Sequence, residues 1–149
     1  MTALAVVRAD ASHLDALAPL FDGYRQFYGQ ASDPEGARTF LGDRLARGES
    51  VIFLAMDGET PLGFTQLYPS FTSVGMRPIW ILNDLFVTPE GRGRGVGAAL
   101  LERARQHGRE TGAARLTLST AVDNTAARSL YEAQGWERDE GFFTYNLPL

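Results

Sequence analysis

Apolar and polar positions along the chain alternate between the helical and the strand period, and the switches mark its elements. Ala3 to Ala9 reads as a short strand. Asp10 and Ser12 are cap-type residues, and behind them Leu14, Leu17, Phe21, Tyr24 and Tyr28 recur at helical spacing, which predicts a helix from about His13 to Tyr28. Ser32-Asp33-Pro34-Glu35 starts a second helix with proline in its first turn; Phe40, Leu41 and Leu45 give its apolar face and Gly48 ends it. Val51 to Met56 is a strand, Asp57-Gly58-Glu59-Thr60 a turn, and Leu62 to Tyr68 the returning arm of a hairpin. Pro69 to Pro78 reads as a loop and Ile79 to Val87 as the central strand. A helix follows to about His107 or Thr111, with Val96, Leu100 and Ala104 on one face. Arg115 to Thr120 alternates as a strand, Asn124 to Gln134 is helical up to Gly135, and Trp136–Arg138 and Phe142–Leu147 close the chain as strands. The order is β-α-α-β-β-β-α-β-α-β-β, a mixed α/β arrangement.

The junction after the central strand carries the most chemistry. Glu90-Gly91-Arg92-Gly93-Arg94-Gly95-Val96-Gly97-Ala98-Ala99 lies between strand and helix. Such a loop presents unpaired N–H groups at the positive end of the helix, a site for phosphate or pyrophosphate. Gly93, Gly95 and Gly97 would allow close approach, and Arg92 and Arg94 add positive charge. Arg94 could equally pair with Glu90 or Glu102. A Walker loop needs Lys-Ser/Thr after its last glycine, where Ala98 and Ala99 stand. The dinucleotide fingerprint needs another glycine spacing, near the start of a βαβ unit.

Composition narrows the classes. A chain of 149 residues with 44% hydrophobic and 21% charged residues suits one globular domain, 1–149, with its own core. The net charge of −4 argues against a nucleic-acid surface. Cysteine is absent, so disulfides, thiolate metal sites and cysteine nucleophiles are excluded. His13 and His107 lack a ligand pattern, and no metal is expected. The N-terminal run is too short and uncharged for a signal peptide, and no stretch nears the ~20 apolar residues of a membrane span. A cytoplasmic protein is the expectation.

Two further segments break the apolar pattern. Asn83-Asp84 places two polar side chains inside the central strand, where unpaired polar groups are costly and often mark a site. Asp84 could serve as a base, directly or through water, or hold the strand by hydrogen bonds. In Asp123-Asn124-Thr125-Ala126-Ala127-Arg128-Ser129-Leu130-Tyr131-Glu132-Ala133-Gln134-Gly135-Trp136, Asn124 and Tyr131 fall two helical turns apart on one face. Asn124 also fits a plain helix cap, and Tyr131 a core aromatic.

Arg92-x-x-Gly95-x-Gly97, the Asn-x-x-Ala-x-x-x-Tyr-x-x-x-Gly-aromatic segment from Asn124 to Trp136, and the element order together resemble the GNAT superfamily of N-acetyltransferases. Within it, the segments Tyr24–Gly29, Leu67–Ser73, Ile81–Val87 and Leu118–Tyr131 resemble the branch of fungal histone, polyamine and D-amino-acid acetyltransferases with their bacterial relatives. The resemblance implies a GNAT fold, a mixed and mostly antiparallel central sheet with helices on both faces. It implies acetyl-CoA as co-substrate. The pyrophosphate would be bound by backbone N–H groups over Arg92, Gly93, Arg94, Gly95, Val96, Gly97 and Ala98. The pantetheine arm would pair with the strand Leu82–Val87, at Leu85, Phe86 and Val87, whose backbone would polarise the thioester carbonyl. Asn124 and Ala127 would contact the coenzyme arm. Tyr131 would be the general acid that protonates the coenzyme thiolate. Many small-amine members carry Glu-Asp at the positions of Asn83-Asp84; Asn83 takes no proton at neutral pH, so the base role falls to Asp84, a water chain or bulk solvent. Family members are often dimers through their C-terminal strands, and Phe143, Tyr145 and Leu147 suit such an interface or a core.

The acceptor should lie against the first two helices and the loop before the central strand, where Tyr24, Tyr28, Tyr68 and Phe71 join Asn83; aromatic faces hold cationic amines. The expected reaction is direct attack of a primary amine (a small amine, amino acid or basic peptide) through a tetrahedral intermediate. The alternative is a non-catalytic acyl-CoA-binding or regulatory module of the same fold, which Asn83 favours. No nucleic-acid or membrane partner is expected.

Overall fold

Antiparallel pairing builds most of the sheet. In the computed structural model, which describes residues 4–149, the elements are β1 (Leu4–Arg8), α1 (Leu14–Phe27), α2 (Pro34–Ala46), β2 (Val51–Asp57), β3 (Thr60–Thr72), β4 (Arg77–Val87), α3 (Val96–Glu110), β5 (Leu116–Thr117) and α4 (Thr125–Ala133). Short 3-10 turns, Ala11–His13 and Pro89–Gly91, lead into α1 and α3. The five-stranded sheet has the order β1-β2-β3-β4-β5, antiparallel except for the parallel β4–β5 pair. Ala3, included in the first predicted strand, lies outside the described residues. The chain divides into two compact units, Met1–Ser119 and Thr120–Leu149.

In the first unit, period-2 alternation sends Ile52, Leu54 and Phe64 to one face, where Leu17, Leu20 and Phe21 of α1 and Ala37 and Leu41 of α2 cover them. Phe53 points the other way, toward α3, whose Val96, Leu100, Leu101 and Ala104 are buried. Fully buried side chains of this size each contribute about 1.5–3 kcal/mol. Gly63 sits where α3 crosses β3: a Cβ there would come within 2.6 Å of the Phe86 carbonyl and 3.1 Å of Val96. α1 and α2 are locked by Asp22, whose buried carboxylate accepts from the Asp33 N–H at 2.7 Å, the Ser32 hydroxyl at 2.7 Å and Gln26 at 3.0 Å. Asp33 in turn caps α2.

Three expectations need correction. The loop expected over Pro69–Pro78 is a two-stranded arm: β3 runs on to Thr72, β4 starts at Arg77, and the turn shrinks to 73–76 with Met76 at φ 52. Pro69 is tolerated because β2 pairs with β3 only as far as Leu67 and leaves it beyond that pairing, and Pro78, which has no N–H to give, accepts from the Ala114 N–H at 2.8 Å. The strand expected over Arg115–Thr120 is reduced to Leu116–Thr117. The closing strands Trp136–Arg138 and Phe142–Leu147 are not formed among the described residues. A strand exists by pairing, and the alternation of Phe143, Tyr145 and Leu147 meets no partner edge there; these side chains are 83–90% exposed.

In the second unit, the Asn124 side chain accepts from the Ala127 N–H at 3.2 Å and caps α4. Gly135 at φ 93 ends it, and the Tyr131 and Trp136 rings lie 6.1 Å apart.

Candidate active site

The glycine loop is shaped by two left-handed residues. Gly93 and Gly95 have φ of 74° and 77°, which L-residues with a side chain adopt at a cost of about 1–2 kcal/mol. Gly95 is the N-cap of α3 and brings no capping side chain. The helix ladder begins with the Ala99 N–H donating to the Gly95 carbonyl at 3.0 Å. The N–H groups of Val96, Gly97 and Ala98 precede that ladder and point out of the positive end of α3. Beyond each glycine's own chain neighbours, nothing among the described residues lies within 4 Å of a Cβ built on Gly93 or Gly95, so the approach is open. Gly91 is the tight one, with a Cβ position 3.0 Å from the Leu62 carbonyl and 3.1 Å from Val87. Arg92 is exposed. Arg94 pairs with Asp57 at 2.7 Å.

Along β4 a free edge leads to this loop. Parallel pairing with β5 holds Trp80 and Ile81 and stops at Thr117. From Leu82 to Val87, β4 keeps β3 as its strand partner on one side, and its other edge has no strand partner among the described residues. Main-chain groups of Leu85 and Val87 are therefore placed to pair with an extended amide-bearing arm.

A β-bulge lies in the middle of β4. Gln66 pairs with Asp84 and Leu67 with Leu82, so Asn83 is an extra residue on β4. The bulge turns Asn83 outward, leaving it exposed, while Asp84 is 4% exposed. Burial inside the strand thus holds for Asp84 alone. The Asp84 carbonyl accepts from the Thr65 hydroxyl at 2.8 Å, which locks the bulge. Its carboxylate accepts from Gln66 Nε2 at 2.7 Å and from Asn83 Nδ2 at 3.0 Å. The Tyr24 hydroxyl donates to the Asn83 carbonyl at 3.3 Å and lies beside the same carboxylate. Burial pushes the Asp84 carboxyl above its ordinary range, against the lowering effect of the Gln66, Tyr24 and Asn83 donors. A carboxylate so raised can take up a proton nearer neutral pH.

Of the expected acceptor residues, Tyr24, Tyr68 and Asn83 gather around Asp84. Tyr28 stacks edge-on to Tyr24 at 5.2 Å. Phe71 stands apart, opposite Pro78 on the two-stranded arm and 76% exposed. The tyrosine hydroxyl of Tyr68 is pushed up to about 12 by burial and by the Asp84 charge, so it stays protonated. Asn124, Ala127 and Tyr131 belong to the second unit, where Asn124 and Ala127 form the cap of α4. Sequence reasoning missed Gln66, which is wholly buried and a donor to Asp84. It also missed an open cleft of about 540 Å³ lined by Arg44, Gly48, Glu49, Tyr68 and Pro69. That the face shared by Gln66 and Tyr68 meets Asp84 became visible only once the bulge was placed on the partner strand. Among the described residues no group of three or more His, Cys, Asp and Glu is placed to hold a metal ion, and no helix is long and apolar enough to cross a membrane.

Known proteins share this architecture. Residues 17–136 match the model of the acetyltransferase (GNAT) family. The chain is 51% identical over 142 residues to an uncharacterized N-acetyltransferase, YhfO, of Bacillus subtilis, covering 95% of each. It is 33% identical over 143 residues to a probable acetyltransferase of Haemophilus influenzae, covering 95% of this chain and 96% of that one. A crystal structure of a probable acetyltransferase superposes with a TM-score of 0.92 at 50% identity, covering 97% of both chains. With the family model spanning most of its length and relatives this similar from end to end, the chain belongs to the GNAT family and is an acetyltransferase.

Proposed function

We propose that the chain moves the acetyl group of acetyl-CoA to a primary amine by direct attack. The observation that carries this reading is the raised Asp84 carboxyl at the bulge of β4, on a strand whose free edge runs into an open, left-handed glycine loop. The loop residues fit the coenzyme: the Val96, Gly97 and Ala98 N–H groups suit its pyrophosphate and the Leu85–Val87 edge its amide arm. Arg94, pinned by Asp57, supports the loop, and Arg92 is the exposed cation beside it. When bound, acetyl-CoA supplies the activated thioester. Asp84 accepts a proton from the incoming ammonium, and Tyr24 and Gln66 hold that carboxylate in place. Main-chain donors of the central strand stabilise the developing oxyanion. Tyr131 gives its phenolic proton to the departing thiolate and is reprotonated from solvent, which also takes the second proton the nitrogen sheds as the amide forms; its support is the resemblance of the 123–136 segment and the chemistry of a phenol.

On this reading residues 1–149 serve as one cytoplasmic acetyltransferase that needs no metal, nucleic acid or membrane. The exposed, alternating Phe143, Tyr145 and Leu147 support a homodimer in which they gain a partner.

The test is release of free CoA from acetyl-CoA with a panel of polyamines, amino acids of both hands, aminoglycosides and basic peptides. Release with one class establishes the reaction and its acceptor. Absence of coenzyme binding removes the acetyl-CoA assignment. Tyr131→Phe should lower kcat about 10²–10⁴-fold with a small change in KM for acetyl-CoA; unchanged turnover removes the acid role.

A further inference from the structure

The cleft between the end of α2 and the β3 arm is walled by Tyr68, the side chain that links it to Asp84. Because the extra residue of the bulge is on β4, β3 keeps its parity, and Gln66 and Tyr68 share a face. Asp84 is paired across from Gln66, so its carboxylate neighbours the Tyr68 side chain that walls the cleft. Asp84 and Arg44 act on the Tyr68 hydroxyl with opposite sign, the first raising and the second lowering it. The Tyr68 phenol on the cleft wall thus has the Asp84 carboxyl as a buried neighbour, while the cleft itself carries the Arg44 guanidinium.

Arg44 already holds a carboxylate. The left-handed Gly48 (φ 63) and the Glu49 N–H bond to the Arg44 carbonyl, 2.9 Å, fold the chain back at the end of α2. This brings Glu49 to Arg44, whose Nε donates to Glu49 Oε1 at 2.9 Å. The guanidinium lies 4.7 Å from the centre of the Phe40 ring, which fixes its plane. The bond to Glu49 uses Nε, and among the described residues the Nη edge remains for a second, bidentate carboxylate. Glu49 is half-exposed, so exchanging it for a ligand carboxylate costs little.

We propose that this cleft is the distal acceptor subsite and that the acceptor is an amino carboxylate, its amine directed to Asp84 and its carboxylate held by Arg44. The proposal rests on acetyl transfer to a primary amine, as argued above. A polyamine or aminoglycoside would bring a second ammonium against Arg44 and be disfavoured.

The experiment compares each amino acid with the amine left when its carboxylate is removed: phenylalanine with phenethylamine, lysine with cadaverine, β-alanine with ethylamine, with spermidine added as a polycation. CoA release is measured for the unmodified chain, Arg44→Gln and Arg44→Lys. The expected result is that the carboxylated member of at least one pair is preferred about tenfold or more in kcat/KM. Arg44→Gln should bring that ratio to about one, through KM for the amino acid, and Arg44→Lys should restore part of it. Because the ratio is taken on one protein sample, a loss of folded material cancels. Equal or better turnover of the carboxylate-free amines, with a ratio indifferent to Arg44→Gln, overturns the subsite and leaves amine acetylation standing. No release with any amine overturns both.

Discussion

Asp84 faces α1 and α2 from β4, and His107 faces the opposite side of the same sheet from α3; both are buried and titratable, at 4% exposure each. Asp84 is surrounded by polar groups at hydrogen-bond distance: Gln66, Asn83 and Tyr24. His107 is surrounded by rings, with Trp80 at 4.8 Å and Phe53 at 5.6 Å, and its Nε2 has no hydrogen-bond partner among the described residues. Burial raises the first group and lowers the second, Arg8 and Arg103 adding to the effect on His107. Each is driven toward its neutral form. The difference lies in surroundings: donors aimed at a carboxylate prepare it to exchange a proton, whereas aromatic walls hold an imidazole as packing. Depth of burial alone does not mark the site.

Asp84→Asn should break this comparison most strongly. At pH 7 it should lower kcat/KM about 10²–10⁴-fold, the usual contribution of a positioned base. It should also stabilise the fold by about 1 kcal/mol at neutral pH, a functional group being held at a cost to stability. The sign follows from the raised carboxyl. Its stabilising share is complete below the unfolded value of 3.8 and is lost as pH rises through the higher folded value. The gap in unfolding free energy between variant and parent should therefore widen from pH 3 upward and then level off. CoA-release kinetics and urea unfolding check the two halves, and activity within threefold of the parent would remove Asp84 from the mechanism.

Much of this site was legible in one dimension, and the illegible parts share a cause. Gly93, Gly95 and the start of α3 were visible because a left-handed turn before an amphipathic helix has a local signature. Asp84 was visible as a charge inside an apolar run. Pro69 and Pro78 were misleading: they break strands in general, but here they lie on an arm that outruns β2, a fact of sheet width rather than of sequence. Phe142–Leu147 has the strand period without a strand, because pairing is supplied from elsewhere in space. Gln66, Arg44 and Glu49 were missed for the same reason. Their meaning comes from a bulge on the neighbouring strand and from a turn that folds Glu49 back.

Gln66→Leu sharpens the comparison with a smaller effect. The substitution removes the first donor opposing the burial of Asp84, so the carboxyl should rise further. The acidic limb of the pH profile of kcat/KM should then move to higher pH, with activity lost on that limb and recovered above it. Gln66 Oε1 has no hydrogen-bond partner among the described residues, so an apolar side chain of similar reach should be tolerated by the fold. A uniform loss at all pH values would assign Gln66 to packing rather than to positioning.

His107→Leu should have the smallest effect on turnover, within about twofold at pH 7.5, since a group walled by Trp80 and Phe53 moves no proton in the reaction. Its signature is in stability on the acid side. His107 is depressed below its ordinary 6.5, so the unfolded chain takes up a proton there before the folded chain does. The group's contribution is present above pH 6.5 and declines as pH falls below it toward the folded value. Urea unfolding between pH 8 and pH 5 should show the parent losing stability faster than His107→Leu. Replacing the imidazole also removes the unpartnered Nε2, so the two should differ by no more than about 1 kcal/mol at pH 8. Parallel stability curves across that range would mean that His107 is protonated inside the fold, and the contrast with Asp84 would then fail on the α3 side.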